Sequence, residues 1–298
     1  MRLLCCLTFI FAGCFALHAE EPDDRRILQQ ILSTRDAIQQ IHGDTNAIFL
    51  AFWDFDGTTM KGDCSEGLQE NGKLIFPGLA QVAIEHGLSQ IYPRAGGFDK
   101  FWNDYTNMDT HVGHWLAYPF IPQMLRGARA DDVLQLSRDY FSTTLSNYLR
   151  ASSVHIIHEL AGHGVQSHII SASADLFVKG AADSLGIPRA HIHGIQVNVR
   201  EGRLTGELIY PLTWNVGKRE TIQQIVAETE RAQPGKKVYV LAGFGDSYAT
   251  DGPFLKFIAT QQLPAGKPIS VFYDNTNAPD EYRGLFYQAS HFVTVSGR

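Results

Sequence analysis

Ala47-Ile48-Phe49-Leu50-Ala51-Phe52-Trp53-Asp54-Phe55-Asp56-Gly57-Thr58-Thr59 decides the fold. Seven apolar residues in a row, with no polar alternation, read as a strand covered on both faces, expected over Ala47–Phe55. Such strands belong to parallel sheets flanked by helices. Two acids flank one residue at the strand's end, and a glycine follows. Charge is costly to bury unpaired, so Asp54 and Asp56 call for a cation. An all-oxygen donor set suits Mg²⁺. Gly57 lets the backbone turn sharply, so that amides, including that of Thr58, can face an anion.

Outward from this stretch, three more landmarks follow in order. Ser171-Ala172 ends the apolar run His168-Ile169-Ile170. Lys218 stands in Asn215-Val216-Gly217-Lys218-Arg219-Glu220, at the start of a helix expected over Gly217–Arg231. Gly245-Asp246 through Asp251 follows the run Val238-Tyr239-Val240-Leu241-Ala242. In an open α/β sheet, residues just past the strand ends converge on one crevice. Four carboxylates, Asp54, Asp56, Asp246 and Asp251, would then share a pocket with one hydroxyl and one ammonium. Ser171 and Lys218 can hold the oxygens of a phosphoryl group. One aspartate can attack phosphorus while the other handles the proton.

Strand and helix patterns alternate through the rest of the chain. Val165–Ser171, His191–Ile195, Lys237–Gly243, Ile269–Tyr273 and Phe292–Val295 read as strands. Ala174–Leu185 and Asp251–Ala259 read as helices, and Val197–Ile209 as a hairpin about Glu201-Gly202. The fold class is α/β: a doubly wound, mostly parallel, Rossmannoid sheet. Between about Met60 and Ala161 no strand alternation is evident; helical periods and aromatics dominate, which predicts a helical insertion. Ahead of the first strand, Glu20 to Gly43 reads as an amphipathic helix packed on the core through Ile27, Leu28, Ile31, Leu32, Ile38 and Ile41.

The N-terminus has export character. Arg2 precedes the apolar run Leu3–Phe15, and Ala16-Leu17-His18-Ala19 offers a cleavage point. Phe11-Ala12-Gly13-Cys14 resembles a bacterial lipobox, with Phe11 where leucine is usual. Cleavage after Ala19 and lipidation of Cys14 both remain open, so a membrane enters only through Cys14. Cys64 is then the lone body cysteine, read as a packing residue. With 298 residues, 44% of them hydrophobic, the chain can bury a sizeable core. A net charge of −6 without a basic stripe excludes nucleic acid as a partner. The 12 histidines include the pairs His111/His114, His155/His158 and His191/His193, read as ordinary surface or core residues because no further ligands accompany them.

Taken in order, Asp54-Phe55-Asp56-Gly57-Thr58, Ser171, Lys218 and Gly245-Asp246 with Asp251 resemble motifs I to IV of the haloacid dehalogenase (HAD) superfamily. The resemblance implies a HAD-like core over 47–62 and 162–298 and a helical C1 cap over 63–161, which the residue pattern precedes with an N-terminal helix over 20–46 and a signal segment over 1–19. It implies a Mg²⁺-dependent phosphomonoesterase with Asp54 as nucleophile and metal ligand. Asp56 would be the acid/base, ligating the metal through its carbonyl. Gly57, Thr58, Ser171, Ala172 and Lys218 would hold the phosphoryl group, with Asp246 and Asp251 at the metal. Val199-Arg200-Glu201-Gly202-Arg203-Leu204-Thr205-Gly206-Glu207 is similar to the phosphoserine-phosphatase-like branch.

Within that branch, Asp63 stands where an acid binds a substrate ammonium, but His114-Trp115-Leu116-Ala117-Tyr118-Pro119-Phe120 carries no arginine for a substrate carboxylate. The stretch from Met108-Asp109 to Leu125-Arg126-Gly127 resembles the cap of exported phosphorylcholine phosphatases. This implies an amino-alcohol phosphate, phosphocholine first, held by Asp63 and a ring among Trp102, Tyr105, Trp115 and Tyr118. A broad-specificity acid phosphatase, a phosphoserine phosphatase and a silent binding lipoprotein are the alternatives.

Overall fold

A computed structural model describes residues 23–43, 46–274 and 277–291. The expected signal segment, Cys14 and the strand Phe292–Val295 lie outside the described residues. Strand β1 (Ala47–Trp53) runs through the middle of a seven-stranded sheet. A second sheet holds only β2 (Gly67–Glu70) and β3 (Lys73–Pro77). The large sheet is completed by β4 (Val165–Ala174), β5 (Ile192–Arg200), β6 (Arg203–Ile209), β7 (Lys237–Gly245), β8 (Ile269–Tyr273) and β9 (Tyr287–Ala289). Its order is β6-β5-β4-β1-β7-β8-β9, parallel except for the β5–β6 pair.

The apolar run of β1 is buried on both sides, and successive side chains divide between two cores. Phe49, Ala51, Trp53 and Phe55 join the larger core, with Ile27, Ile31 and Ile38 of α1 (Asp23–His42) and Ile156, Ile157 and Leu160 of α6 (Ala151–Gly162). Ile48, Leu50 and Phe52 join the other, under α9 (Val216–Ala232) and α10 (Gly252–Ala259). This three-layer arrangement is the doubly wound α/β sheet expected from the sequence. Helix α1 covers the sheet as predicted except that Ile41 is exposed and Thr34, in mid-helix, takes a buried place. At the helix end it is His42 that meets the sheet, through Tyr239, while Thr34 meets the Lys267 carbonyl.

Between β1 and β4 lie the small hairpin, then α2 (Leu79–Glu85), α3 (Gly97–His111), α4 (His114–Gln123) and α5 (Ala130–Thr143), followed by α6. The β2–β3 hairpin was not expected in this helical stretch. Its strands are short and half exposed, so alternation is weak. The available signal was Asn71-Gly72, whose positive φ values of 52° and 74° make the turn. The helix expected over Ala174–Leu185 is broken into α7 (Asp175–Val178), a 3₁₀ turn and α8 (Ala182–Leu185). The break lies at Gly180, where a Cβ would stand 2.7 Å from the Ser137 carbonyl carbon of α5. Close helix approach, not local propensity, shapes this segment.

The inserted segment is fastened to the sheet by the β5–β6 hairpin. Gly127 N–H donates to Leu204 O (2.8 Å), Leu204 N–H to Ala128 O (3.0 Å), and Ala130 N–H to Gly202 O (2.9 Å). Gln123 and Arg203 side chains add bonds to the carbonyls of Gly206 (2.9 Å) and Gly127 (2.7 Å).

Candidate active site

Because β1, β4 and β7 run parallel side by side, their carboxyl ends open on the same edge of the sheet. Asp54, Ser171 to Ser173 and Asp246 meet there, and α9 and α10 deliver Lys218 and Asp251. Asp54 N–H donates to Phe244 O (2.8 Å), and its own carbonyl accepts from Thr59 Oγ1 (2.7 Å). The side chain is thereby aimed off the strand end into a cavity of about 160 Å³. That cavity is lined on the sheet side by Asp54, Asp56, Ala172, Ser173, Asp246 and Thr250, and on the other by Asp63, Glu66, Tyr118 and Ile121.

Lys218 is fully buried, with Nζ 2.5 Å from Asp54 Oδ1 and 2.6 Å from Asp251 Oδ1. Burial works against its charge, but Asp251 and Asp54 together raise its pKa, so it stays an ammonium. Asp251 is also fully buried and engaged on all sides. Beside Lys218 it accepts from Thr250 Oγ1 (3.1 Å), Asp246 N (3.1 Å) and Ser247 N (3.0 Å). Gly245 makes room for it, since a Cβ there would lie 2.7 Å from Asp251 Cβ.

Asp54, Asp246 and Asp251 each offer a carboxylate oxygen, all within 4.8 Å of one another. One ammonium cannot balance three carboxylates. Burial, then the Asp251 charge, pushes Asp54 up to about 7, and burial with the Asp54 charge pushes Asp246 up to about 8. This surplus of negative charge on oxygen donors alone fits a hard divalent cation. The bonds of Asp251 leave Asp54 and Asp246 as the carboxylates that face the cavity. Gly57 has φ +83°, and a Cβ there would overlap Asp246 Oδ2 at 2.0 Å, so only glycine lets the two loops approach. Thr58 is buried, with its Oγ1 3.4 Å from Asp246 Oδ1 and its carbonyl held by Ser153 Oγ (2.8 Å).

Asp56 accepts from Cys64 N (2.7 Å), Ser173 Oγ (2.8 Å) and Ser171 Oγ (3.3 Å). Burial, and next the Asp63 charge, pushes it up to about 7. Its side chain is oriented by donors rather than turned to the other carboxylates. The hydroxyl of Ser171 is thus committed to Asp56 and to Ser173 N–H (3.0 Å), while Ala172 and Ser173 line the cavity. Sequence reasoning missed Ser173. Residues two apart on a strand share a face, so Ser171 already pointed to it.

On the far side, Asp63 accepts from Ser65 N (2.7 Å) and Glu66 N (2.8 Å), a turn that brings both Asp63 and Glu66 to the cavity. Burial and the Glu66 charge push Asp63 up to about 7. Glu66, also missed, carries a raised pKa from burial and accepts a hydrogen bond from Tyr105. Of the four expected rings, Tyr118 lines the cavity and Tyr105 reaches it through Glu66. Trp102 does not: it packs against Phe98 and Tyr105 within the inserted segment. Trp115 does not either; it is 57% exposed, with its indole N–H on the Val112 carbonyl (3.1 Å). Residues three apart share a helix face, so Trp102 lies on the side of Tyr105 and Trp115 on that of Tyr118, but each sits one turn nearer its helix start; Trp102 is taken up by aromatic packing and Trp115 stays at the surface. Cys64 is free and buried, with its thiol pushed well up by burial, in keeping with a packing role. Of the histidine pairs, His191 and His193 stack with His168 at ring distances of 4.1 and 5.7 Å.

The comparisons bear on the fold and on the family. The chain aligns in structure, with a TM-score of 0.58, to a protein of unknown function from Bordetella pertussis Tohama I. The two are 15% identical over 84% of this chain and 100% of the other. A conserved protein of unknown function from Anaerococcus prevotii DSM 20548 aligns with a TM-score of 0.50 and 13% identity, over 83% of this chain and 86% of its own. A substrate-bound phosphoserine phosphatase aligns at 0.44 and 14% identity, over 82% and 93%. No curated protein sequence matches. The profile of the haloacid dehalogenase-like hydrolases matches residues 51–256, which span the carboxylates, Lys218 and most of the sheet, and the chain belongs to that family.

Proposed function

We propose that the protein is a phosphomonoesterase working through an aspartyl-phosphate on Asp54. The observation that carries this reading is the Asp54–Lys218–Asp251 contact set at the floor of a cavity also lined by Asp56 and Asp246. Lys218 fixes one oxygen of Asp54 and favours its charged form. Asp54 then attacks phosphorus, the bond to the leaving oxygen breaks, and Asp56 gives that oxygen a proton. With a pKa near 7, Asp56 can hold that proton at neutral pH and, once it has lost it, take one from a water attacking the phospho-enzyme. Asp54 and Asp246 would hold Mg²⁺, which neutralises charge on the phosphoryl oxygens when bound.

The substrate is read as a small phosphorylated amino alcohol, phosphocholine first. Two carboxylates, Asp63 and Glu66, and the Tyr118 ring face the leaving-group side of the cavity. Among the described residues, no arginine or lysine lines that side to meet a substrate carboxylate. This favours a cationic head over phosphoserine. The apolar run Leu3–Phe15 supports an exported protein, cleaved after Ala19 or lipidated at Cys14. No helix among the described residues is long and apolar enough to cross a membrane.

The test is turnover of 4-nitrophenyl phosphate with Mg²⁺ and with EDTA. Wild-type protein should be active only with Mg²⁺, and Asp54→Asn should lose at least about 10⁴-fold. Full activity of Asp54→Asn sinks the nucleophile assignment; full activity in EDTA removes the metal. Asp63→Ala should raise KM for phosphocholine more than for the aryl ester, and equal changes would refute the amino-alcohol reading.

A further inference from the structure

Next to the catalytic cavity lies a second, larger space. Helix α4, the end of the β5–β6 hairpin and the start of α9 enclose an open groove of about 690 Å³. Its walls are Trp115, Pro119, Tyr210, Pro211, Leu212 and Trp214. Trp115 is 57% exposed and Tyr210 73% exposed, so neither is needed to fill the core. Large apolar side chains gathered on one exposed surface mark a binding site more often than chance decoration. The indole N–H of Trp214 is buried and has no partner among the described residues. It is a donor left for the oxygen of a ligand.

The groove is one ring away from the chemistry. Trp214 meets Tyr118 edge-on, with ring centroids 6.4 Å apart, and Tyr118 lines the catalytic cavity. The next residue, Asn215, donates to Ala249 O (2.6 Å) in the turn whose Ser247 and Thr250 also line that cavity. A molecule held by its phosphoryl group over Asp54 could therefore run past Tyr118 and lie against Trp214. The charge of the lining limits what that molecule is. Among the described residues, Glu220 is the one carboxylate on it, and no lysine or arginine lines it. An anionic tail would find no counter-charge there. Aromatic and proline walls, with one free indole donor, suit a planar ring that is neutral or cationic.

We propose that this groove is a second alcohol subsite, beyond the Asp63 and Glu66 wall, and that the enzyme also takes phosphomonoesters whose alcohol carries a planar, uncharged or cationic ring. The proposal rests on the phosphatase reading above and extends it, since phosphocholine would fill the cavity and leave the groove unused. The decisive quantity is the ratio of kcat/KM for 2-naphthyl phosphate to that for phosphoethanolamine. In the double variant Trp115→Ala, Tyr210→Ala the ratio should fall about tenfold, through KM for the naphthyl ester. An unchanged ratio overturns the subsite.

If wild-type protein hydrolyses no phosphomonoester at all, the phosphatase reading fails. The groove is then judged by binding alone. Calorimetric titration with 2-naphthol should show an affinity that the double variant weakens about fivefold, and no binding to wild-type protein overturns the proposal. A wild-type dimer that the double variant dissolves would also overturn it, by making the groove a contact between copies.

Discussion

Asp251 lies buried behind the cavity that Asp63 lines, and the two are held in opposite ways. Asp251 accepts from a lysine, a threonine and two backbone amides, in a space cleared for it by Gly245. Asp63 accepts from two amides of its own turn and otherwise faces a second carboxylate, Glu66. The first belongs to a floor assembled from strand and helix ends far apart in the chain, where each group fixes the next. The second belongs to a wall made by one turn and one helix, with negative charge that nothing in the protein balances. An over-determined floor suits a group that every turnover must place identically. An unbalanced wall suits a ligand that brings the missing charge.

The comparison breaks first, if it breaks, at Lys218. Lys218→Met leaves Asp251 buried without its cation, which should cost about 3–5 kcal/mol of stability and nearly all activity. Urea unfolding with and without the change measures this; a loss below about 1 kcal/mol would mean the floor is not interlocked. At the wall, Glu66→Gln should leave stability within about 1 kcal/mol, while changing the preference between phosphocholine and 4-nitrophenyl phosphate about tenfold. If selectivity stays fixed and stability falls, the wall is structural and the contrast is false.

The floor also predicts a pH dependence of the cation. Asp54 and Asp246 have pKa values raised to about 7 and 8, so below pH 7 protons already relieve their repulsion, and above pH 8 they do not. Mg²⁺ must displace those protons, so its stabilisation should grow from pH 6 to pH 8, by up to about 1.4 kcal/mol per proton displaced and pH unit. Thermal unfolding with and without Mg²⁺ at the two pH values tests the sign. A larger shift at pH 6 would mean the cation binds elsewhere.

The floor was legible in the sequence because parallel strands dictate it. Apolar runs mark the strands, and whatever follows each run must meet at one edge. Asp54, Asp56, Ser171, Asp246 and Asp251 could be placed together on that rule alone. Lys218 needed its helix start as well. The wall obeyed no such rule. Tyr105 and Trp102 lie three apart on one side of α3, yet only Tyr105 reaches Glu66, because Trp102 sits one turn back, against Phe98. Glu66 depended on a turn made by the Asp63 side chain. The break at Gly180 was set by close packing across the fold, which local patterns do not encode, while the short, half-exposed β2–β3 hairpin left only Asn71-Gly72 as a signal.

The hairpin that fastens the inserted segment has a consequence for traffic. Its grip on 127–130 is made of backbone amides and carbonyls, which no side-chain rotation can release. A lid latched this way cannot swing freely from that side. Substrate and product must pass through a doorway of nearly constant width, unless the latch breaks strand by strand. The amides of Gly127, Leu204 and Ala130 should therefore exchange with solvent as slowly as those of the central sheet, and tightening this latch should leave the pace of product exit unchanged.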